Sequence, residues 1–233
     1  MIRSMNPLKI AESVDYFQER CKQNYVNSTV RKNFSYVTDY NSYYTTVKEF
    51  MDKYPIFTDV ILVQLDSSAE NGYPHTRPNS IICIPSNARF PSLKKTLFHE
   101  VVHIHQRKNE QLWERFLNSK GWFLEFPNSV PERWRERCRI NPDTCLKQFW
   151  SFQHRWIPLP LYVNDYNAKF EDVKIVFYDL ETGILEHNPP DSFVKLYGSS
   201  PSQPEHPYEL YAVELAEKGE LNEEMLKSFL TTS

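Results

Sequence analysis

Apolar positions along the chain change period several times, and each change predicts an element. After Asn6-Pro7, an N-cap followed by proline at the first helical position, Ile10, Val14, Phe17 and Cys21 recur at helical spacing. They predict an amphipathic helix over 7–22. Residues 24–40 are polar and poorly periodic and are expected to form a loop. Tyr43, Val47, Phe50 and Tyr54 restore the helical period over 42–53, and Pro55 closes it. Residues 59–66 (Asp-Val-Ile-Leu-Val-Gln-Leu-Asp) and 80–85 (Ser-Ile-Ile-Cys-Ile-Pro) are rich in β-branched residues and predict two strands. Between them, Asn71-Gly72 and two prolines mark turns.

A long helix is expected next. Pro91-Ser92 offers a stop and an N-cap, and no proline or glycine follows before Gly121. Phe98, Val101, Val102 and His105 would share one buried side, and His99, His103 and Gln106 another. Residues 111–119, with Leu112, Phe116 and Leu117 apolar, continue this helix or begin a new one. A third helical stretch over 131–139 alternates arginine with glutamate around Trp134. An aromatic helical pattern covers 141–156, and Ile157-Pro158-Leu159-Pro160 breaks it. Residues 172–180 predict a strand, 181–183 a turn, and 184–186 an antiparallel return. Loops are expected at 188–190 and 198–207, before a last helix from about 205 to near Gly219.

Composition changes this picture little. Aromatic residues make up 15% of the chain, which favours an ordered core. Sixteen prolines against five glycines predict long, braced loops. A net charge of −3 gives no general attraction to nucleic acid or anionic membrane. No apolar run is long enough to span a bilayer, and residues 1–17 lack the apolar core of a secretory signal, so a cytoplasmic protein is expected. Cys21, Cys83, Cys138 and Cys145 form no Cys-x-x-Cys pair and are read as free thiols, although Cys138 and Cys145 could pair.

Candidate chemistry lies in the long helix. His99-Glu100-Val101-Val102-His103 is a His-Glu-x-x-His pattern. Positions i and i+4 lie on one helix face, so the two imidazoles can hold one zinc ion, with the glutamate beside the open coordination position. His105 lies well round the helix and is read as a hydrogen-bonded core histidine. On these residues the chain resembles the zincin metallopeptidases. That resemblance implies an α+β fold with a small mixed or antiparallel sheet beside the metal helix, a mainly helical C-terminal part and a long insert, with Zn2+ as cofactor and Glu100 as general base. In zincins the strand before the metal helix is an edge, so 81–84 reads either as a substrate-pairing edge or as an ordinary interior strand.

A catalytic zinc generally takes three protein ligands and a water. Glu209 is the favoured third ligand, because it shares a face with Ala212, Val213 and Ala216, which permit close helix approach. Glu-x-x-Ala on a downstream helix resembles the gluzincins and the small intracellular metallopeptidases that cleave phage-type repressors. His206, His154, His187 and Asp143 are rivals. The distance from His103 to Glu209 implies one domain over 1–233 carrying an inserted subdomain at about 122–198. For the oxyanion, His206, Tyr208, Tyr162 and Arg155 are candidate donors.

The expected function is a zinc-dependent peptidase acting on a peptide or protein. One alternative is a non-catalytic binding protein on a zincin scaffold, holding a partner with the aromatic, arginine-bearing insert. The other is a nucleic-acid module centred on Arg133 to Arg139, which the interleaved glutamates disfavour.

Overall fold

The computed structural model describes residues 6–31, 42–86 and 92–231. It is an α+β protein whose helices pack on two small sheets. The expected first helix is two. Asn6 caps α1 (Pro7–Asp15), accepting from Leu8 N–H at 3.0 Å. At Tyr16 the backbone turns left-handed (φ 52°), and α2 (Phe17–Gln23) begins. The break is held by side chains. Asp15 accepts from Phe17 N–H, and the Glu12 carboxylate accepts from Gln18 and Glu19 N–H, so two acids cap the free N–H groups of α2. The kink rotates α1, so Ile10 and Val14 are exposed, against the periodicity, and Leu8, Ala11 and Asp15 are buried. Asp15 and Glu12 also grip the buried Arg77 guanidinium.

Part of the expected 24–40 loop is helical: Asn24 caps α3 (Tyr25–Val30). Residues 32–41, and with them the rest of that loop, lie outside the described residues, as does Pro91 of the expected helix stop. Helix α4 (Ser42–Met51) buries Val47 and Met51.

The first sheet contains β1 (Ile61–Leu65), β2 (His75–Arg77) and β3 (Ile81–Pro85) in the order β1-β3-β2. β3 runs parallel to β1 and antiparallel to β2. The strand before the metal helix is therefore interior, and the edge reading is overturned. β2 displaces it to the centre. Its outer edge is itself occupied: Thr76 N–H donates to Asp143 Oδ1 at 2.7 Å, and Thr76 C=O accepts from Arg107 Nη2 at 3.2 Å. Pro74 and Pro78, on either side, carry no N–H.

Helix α5 (Leu93–Lys108) starts at Ser92, whose Oγ accepts from Lys95 N–H, and α6 (Glu110–Ser119) follows directly. The main core joins Phe98, Val101 and Val102 of α5 to Trp113 and Phe116 of α6. Further along the chain α8 (Asp191–Tyr197), α9 (Pro207–Glu217) and α10 (Glu223–Thr231) add Phe193, Ala212 and Leu226 to it. α8 and α10 are not among the expected helices.

A second sheet, antiparallel and in chain order, contains β4 (Trp122–Leu124), β5 (Trp150–Phe152), β6 (Trp156–Tyr162), β7 (Val173–Asp179) and β8 (Leu185–Glu186). Two expectations fail here. The 141–156 stretch is not a helix; it contains a short 3-10 turn and β5. Its aromatics meet the core in extended geometry, with Phe152 against Trp122 and Phe193 and Trp150 against Tyr208. Pro158 and Pro160 do not break the chain either, but lie within β6. Pro160 C=O accepts from Arg139 N–H and Tyr162 N–H donates to Arg137 C=O, so alternate residues of β6 turn away from β7. Both prolines occupy those positions, where the missing N–H takes nothing from the β6–β7 ladder. In the 131–139 stretch only α7 (Glu132–Arg135) is helical.

One flank of this sheet has its own cluster around Ile157, Leu159 and Val176, and its other aromatics join the main core. Among the described residues no helix is long and apolar enough to cross a membrane. All four cysteines are free and buried, and burial pushes the Cys21 and Cys145 thiols up to about 12. They are poor nucleophiles in this setting.

Candidate metal centre

α5 and α9 lie against each other, and the candidate site forms where they meet. Gln106 fixes the contact. Its Nε2 donates to Tyr208 C=O at 2.9 Å, which turns its Oε1 toward His103. A backbone carbonyl can only accept, so the amide orientation is set by the network. Gln106 Oε1 lies 2.7 Å from His103 Nδ1, which must therefore carry the proton of that bond. In the neutral imidazole this leaves the lone pair on Nε2, the tautomer that binds a metal.

His103 Nε2 lies 3.0 Å from His99 Nε2 and 3.3 Å from Glu209 Oε2. His99 Nε2 lies 3.1 Å from the same oxygen. Three lone-pair atoms thus form a nearly equilateral triangle, and the three residues could hold one metal ion. Ligands at ~2.1 Å from a tetrahedral centre lie ~3.4 Å apart, so the triangle has the size that such a centre requires. A single proton can satisfy only one of its sides; a small cation satisfies all three.

Charge favours the same reading. Burial opposes a charge on His103, but the Glu209 and Asp143 carboxylates outweigh it and raise its pKa to about 9. Burial likewise opposes the charge on Glu209, and His103 overrides it, holding the carboxylate well below the usual range. Glu209 lies in the first turn of α9, where the helix dipole also favours an anion.

The triangle opens on a cleft of about 530 Å³, lined by His99, Glu100, Glu209, Arg139, Asn141 and Asp143, with Tyr73 and His75 from the β2 side. Glu100 Oε2 is buried without a hydrogen-bond partner. Burial first, and then the Asp143 and Glu209 charges, push the Glu100 carboxyl well up.

The structure brings together His99, His103 and Glu209, and places Glu100 in their cleft. It does not bring the rivals. His206 is the N-cap of α9: Nδ1 accepts from Tyr208 N–H at 3.1 Å, and Nε2–H donates to Lys147 C=O at 2.8 Å. Both nitrogens are used, and burial lowers its pKa to about 4. His154 is exposed and stacks on Phe123, and His187 is exposed. Asp143 lines the cleft, but its Oδ1 accepts from Thr76. His105 is a core histidine whose Nδ1 accepts from Trp113 Nε1–H at 3.0 Å.

None of the four expected oxyanion donors lines the cleft. Tyr208 packs between Trp113 and Trp150, and Tyr162 sits beside Arg31. Arg155 pairs with Asp179 and Glu181, and His206 is spent as above. Sequence reasoning missed two residues that do line it. Arg139 pairs with Glu205 at 2.9 Å, and Asn141 Nδ2 donates to Glu209 Oε1 at 2.7 Å. Their contacts reach from before β5 to α9, and no local pattern marks them.

A scan of family models, a search of curated proteins and a search of solved structures each found no match.

Proposed function

We propose that this protein is a zinc-dependent peptidase of gluzincin type, with His99, His103 and Glu209 as metal ligands and Glu100 as general base. The observation that carries the proposal is the triangle of His99 Nε2, His103 Nε2 and Glu209 Oε2, with Gln106 holding His103 in the ligand tautomer. Two imidazole nitrogens and one carboxylate oxygen are a donor set suited to zinc. Zinc held there supplies a Lewis acid that polarises a carbonyl and lowers the pKa of water toward neutrality.

Glu100 does the proton work. Its unpartnered Oε2 is free to take a proton from the attacking water and to pass it to the departing amine. Burial raises the proton affinity of that carboxyl, and a cation beside it would temper the shift. Oxyanion stabilisation falls to donors that line the cleft, and the Arg139 guanidinium, held by Glu205, is the candidate.

The test is zinc content together with hydrolysis of a mixed peptide library by the zinc-loaded chain. One zinc per chain with cleavage lost in Glu100→Gln supports the proposal. Zinc without cleavage of any peptide leaves a binding protein on the same metal site.

A further inference from the structure

Glu209 is held from both sides. Oε2 faces the two histidines, and Oε1 accepts from Asn141 Nδ2 at 2.7 Å. The amide orientation of Asn141 is not arbitrary. Its Oδ1 accepts from Asp143 N–H at 3.0 Å, and a backbone N–H can only donate, so the NH2 end must face the carboxylate. The turn that presents Asn141 is anchored at several points. Arg107 of α5 donates to Pro142 and Asp143 C=O, and Asp143 Oδ1 accepts from Thr76 N–H of β2. A short strap over 139–143 thereby ties β2, α5 and α9 around the three candidate ligands.

We infer that Asn141 is a positioning residue for the metal centre: its amide occupies Glu209 Oε1, so that the carboxylate offers only Oε2 to the metal and leaves the remaining coordination position open to water or substrate. The inference rests on the metal reading above and adds a residue to it. A carboxylate with two free oxygens can swing to bind through both. One whose second oxygen accepts a fixed N–H cannot do so without breaking a buried hydrogen bond. Outer partners of this kind typically contribute 10–100-fold in metal affinity.

Asn141 has a second role, as acceptor in the 141–143 turn, and two substitutions separate the roles. Asn141→Ala removes both. Asn141→Asp keeps the turn acceptor, removes the donor, and puts a like charge against Glu209. Zinc affinity is measured by competition with a chromogenic chelator at about pH 8, where the new carboxylate is ionised. Cobalt(II) substitution reports coordination number through its visible absorption, and melting of the metal-free chains reports folding.

The expected result is about 10–100-fold weaker zinc binding in Asn141→Ala, and weaker cobalt absorption in both variants as coordination number rises, in chains whose metal-free melts stay cooperative. Wild-type zinc affinity and cobalt spectrum in Asn141→Asp overturn the role of the amide while leaving the metal centre standing. A wild-type chain that binds neither metal overturns the centre and this inference with it.

Discussion

Glu209 Oε2 lies 3.3 Å from His103 Nε2, on helices that the whole second sheet separates in sequence. That contact makes a direct prediction. The wild-type chain should carry about one zinc, and either His103→Ala or Glu209→Ala should remove most of it. Glu214→Ala, on the exposed side of the same helix, should leave it in place. Atomic emission on dialysed proteins checks this. Equal zinc in Glu209→Ala and Glu214→Ala would rule out ligation by Glu209.

Zinc should also displace protons. In the metal-free chain His103 holds a proton against Glu209 up to a pKa of about 9, and a ligand nitrogen must give it up. Calorimetric zinc titration in buffers of different ionisation enthalpy should show proton release at neutral pH, and the release should shrink as the pH rises past about 9. A heat independent of buffer would contradict the charged imidazole.

Glu100→Gln should retain zinc and lose hydrolysis by about 10²–10⁴-fold, the range of general-base catalysis. The same change should not lower the metal-free melting temperature, because it replaces a buried carboxyl whose Oε2 has no partner. Steady-state rates and thermal melts together test both halves. Near-wild-type turnover in Glu100→Gln would refute its role as base.

His206 predicts an acid-side loss of stability. Its folded pKa of about 4 lies below the ordinary 6.5. The unfolded chain therefore binds the proton first, so the contribution is complete above about pH 6.5 and is lost as the pH falls toward about 4. One such proton gives a slope of up to about 1.4 kcal/mol per pH unit. His206→Asn keeps an N-cap acceptor but cannot titrate, so its urea stability should fall less steeply across that window. Identical pH profiles would show that His206 does not contribute.

The buried pair of Asp15 and Arg77 should be costly to break. Asp15→Ala takes one of two carboxylates from a guanidinium that is itself buried, leaving Glu12, and should cost up to about 3–5 kcal/mol in urea unfolding. Val14→Ser, one residue away on the exposed side, should change stability by less than about 0.5 kcal/mol.

Legibility along this chain followed the range of the interactions. α5 was readable because its N-cap, its lack of breakers and its i,i+4 histidines are local features. Glu209 was readable because small residues beside it mark a close helix approach. β2 was not, since its three buried side chains are His75, Thr76 and Arg77, which find partners in distant segments instead of an apolar core. The kink at Tyr16 depends on carboxylates that happen to cap the next helix, and periodicity alone carries the first helix straight through it. Over 141–156 the aromatic spacing mimics a helix, but pairing with β4 and β6 decides the geometry. Asn141 reaches Glu209 across that same region, and a single asparagine in a turn signals nothing of the kind.

The occupied edge of β2 has a consequence for recognition. An extended peptide laid beside that strand finds Thr76 already bonded to Asp143 and Arg107, and prolines on both sides. It can build no backbone ladder there, so binding of an extended peptide by strand addition is closed at this edge. Under the proposed function, selectivity passes from main chain to side chains, so that a short or bent substrate loses nothing to a long, straight one. The same plug keeps this edge from templating a second copy of the sheet.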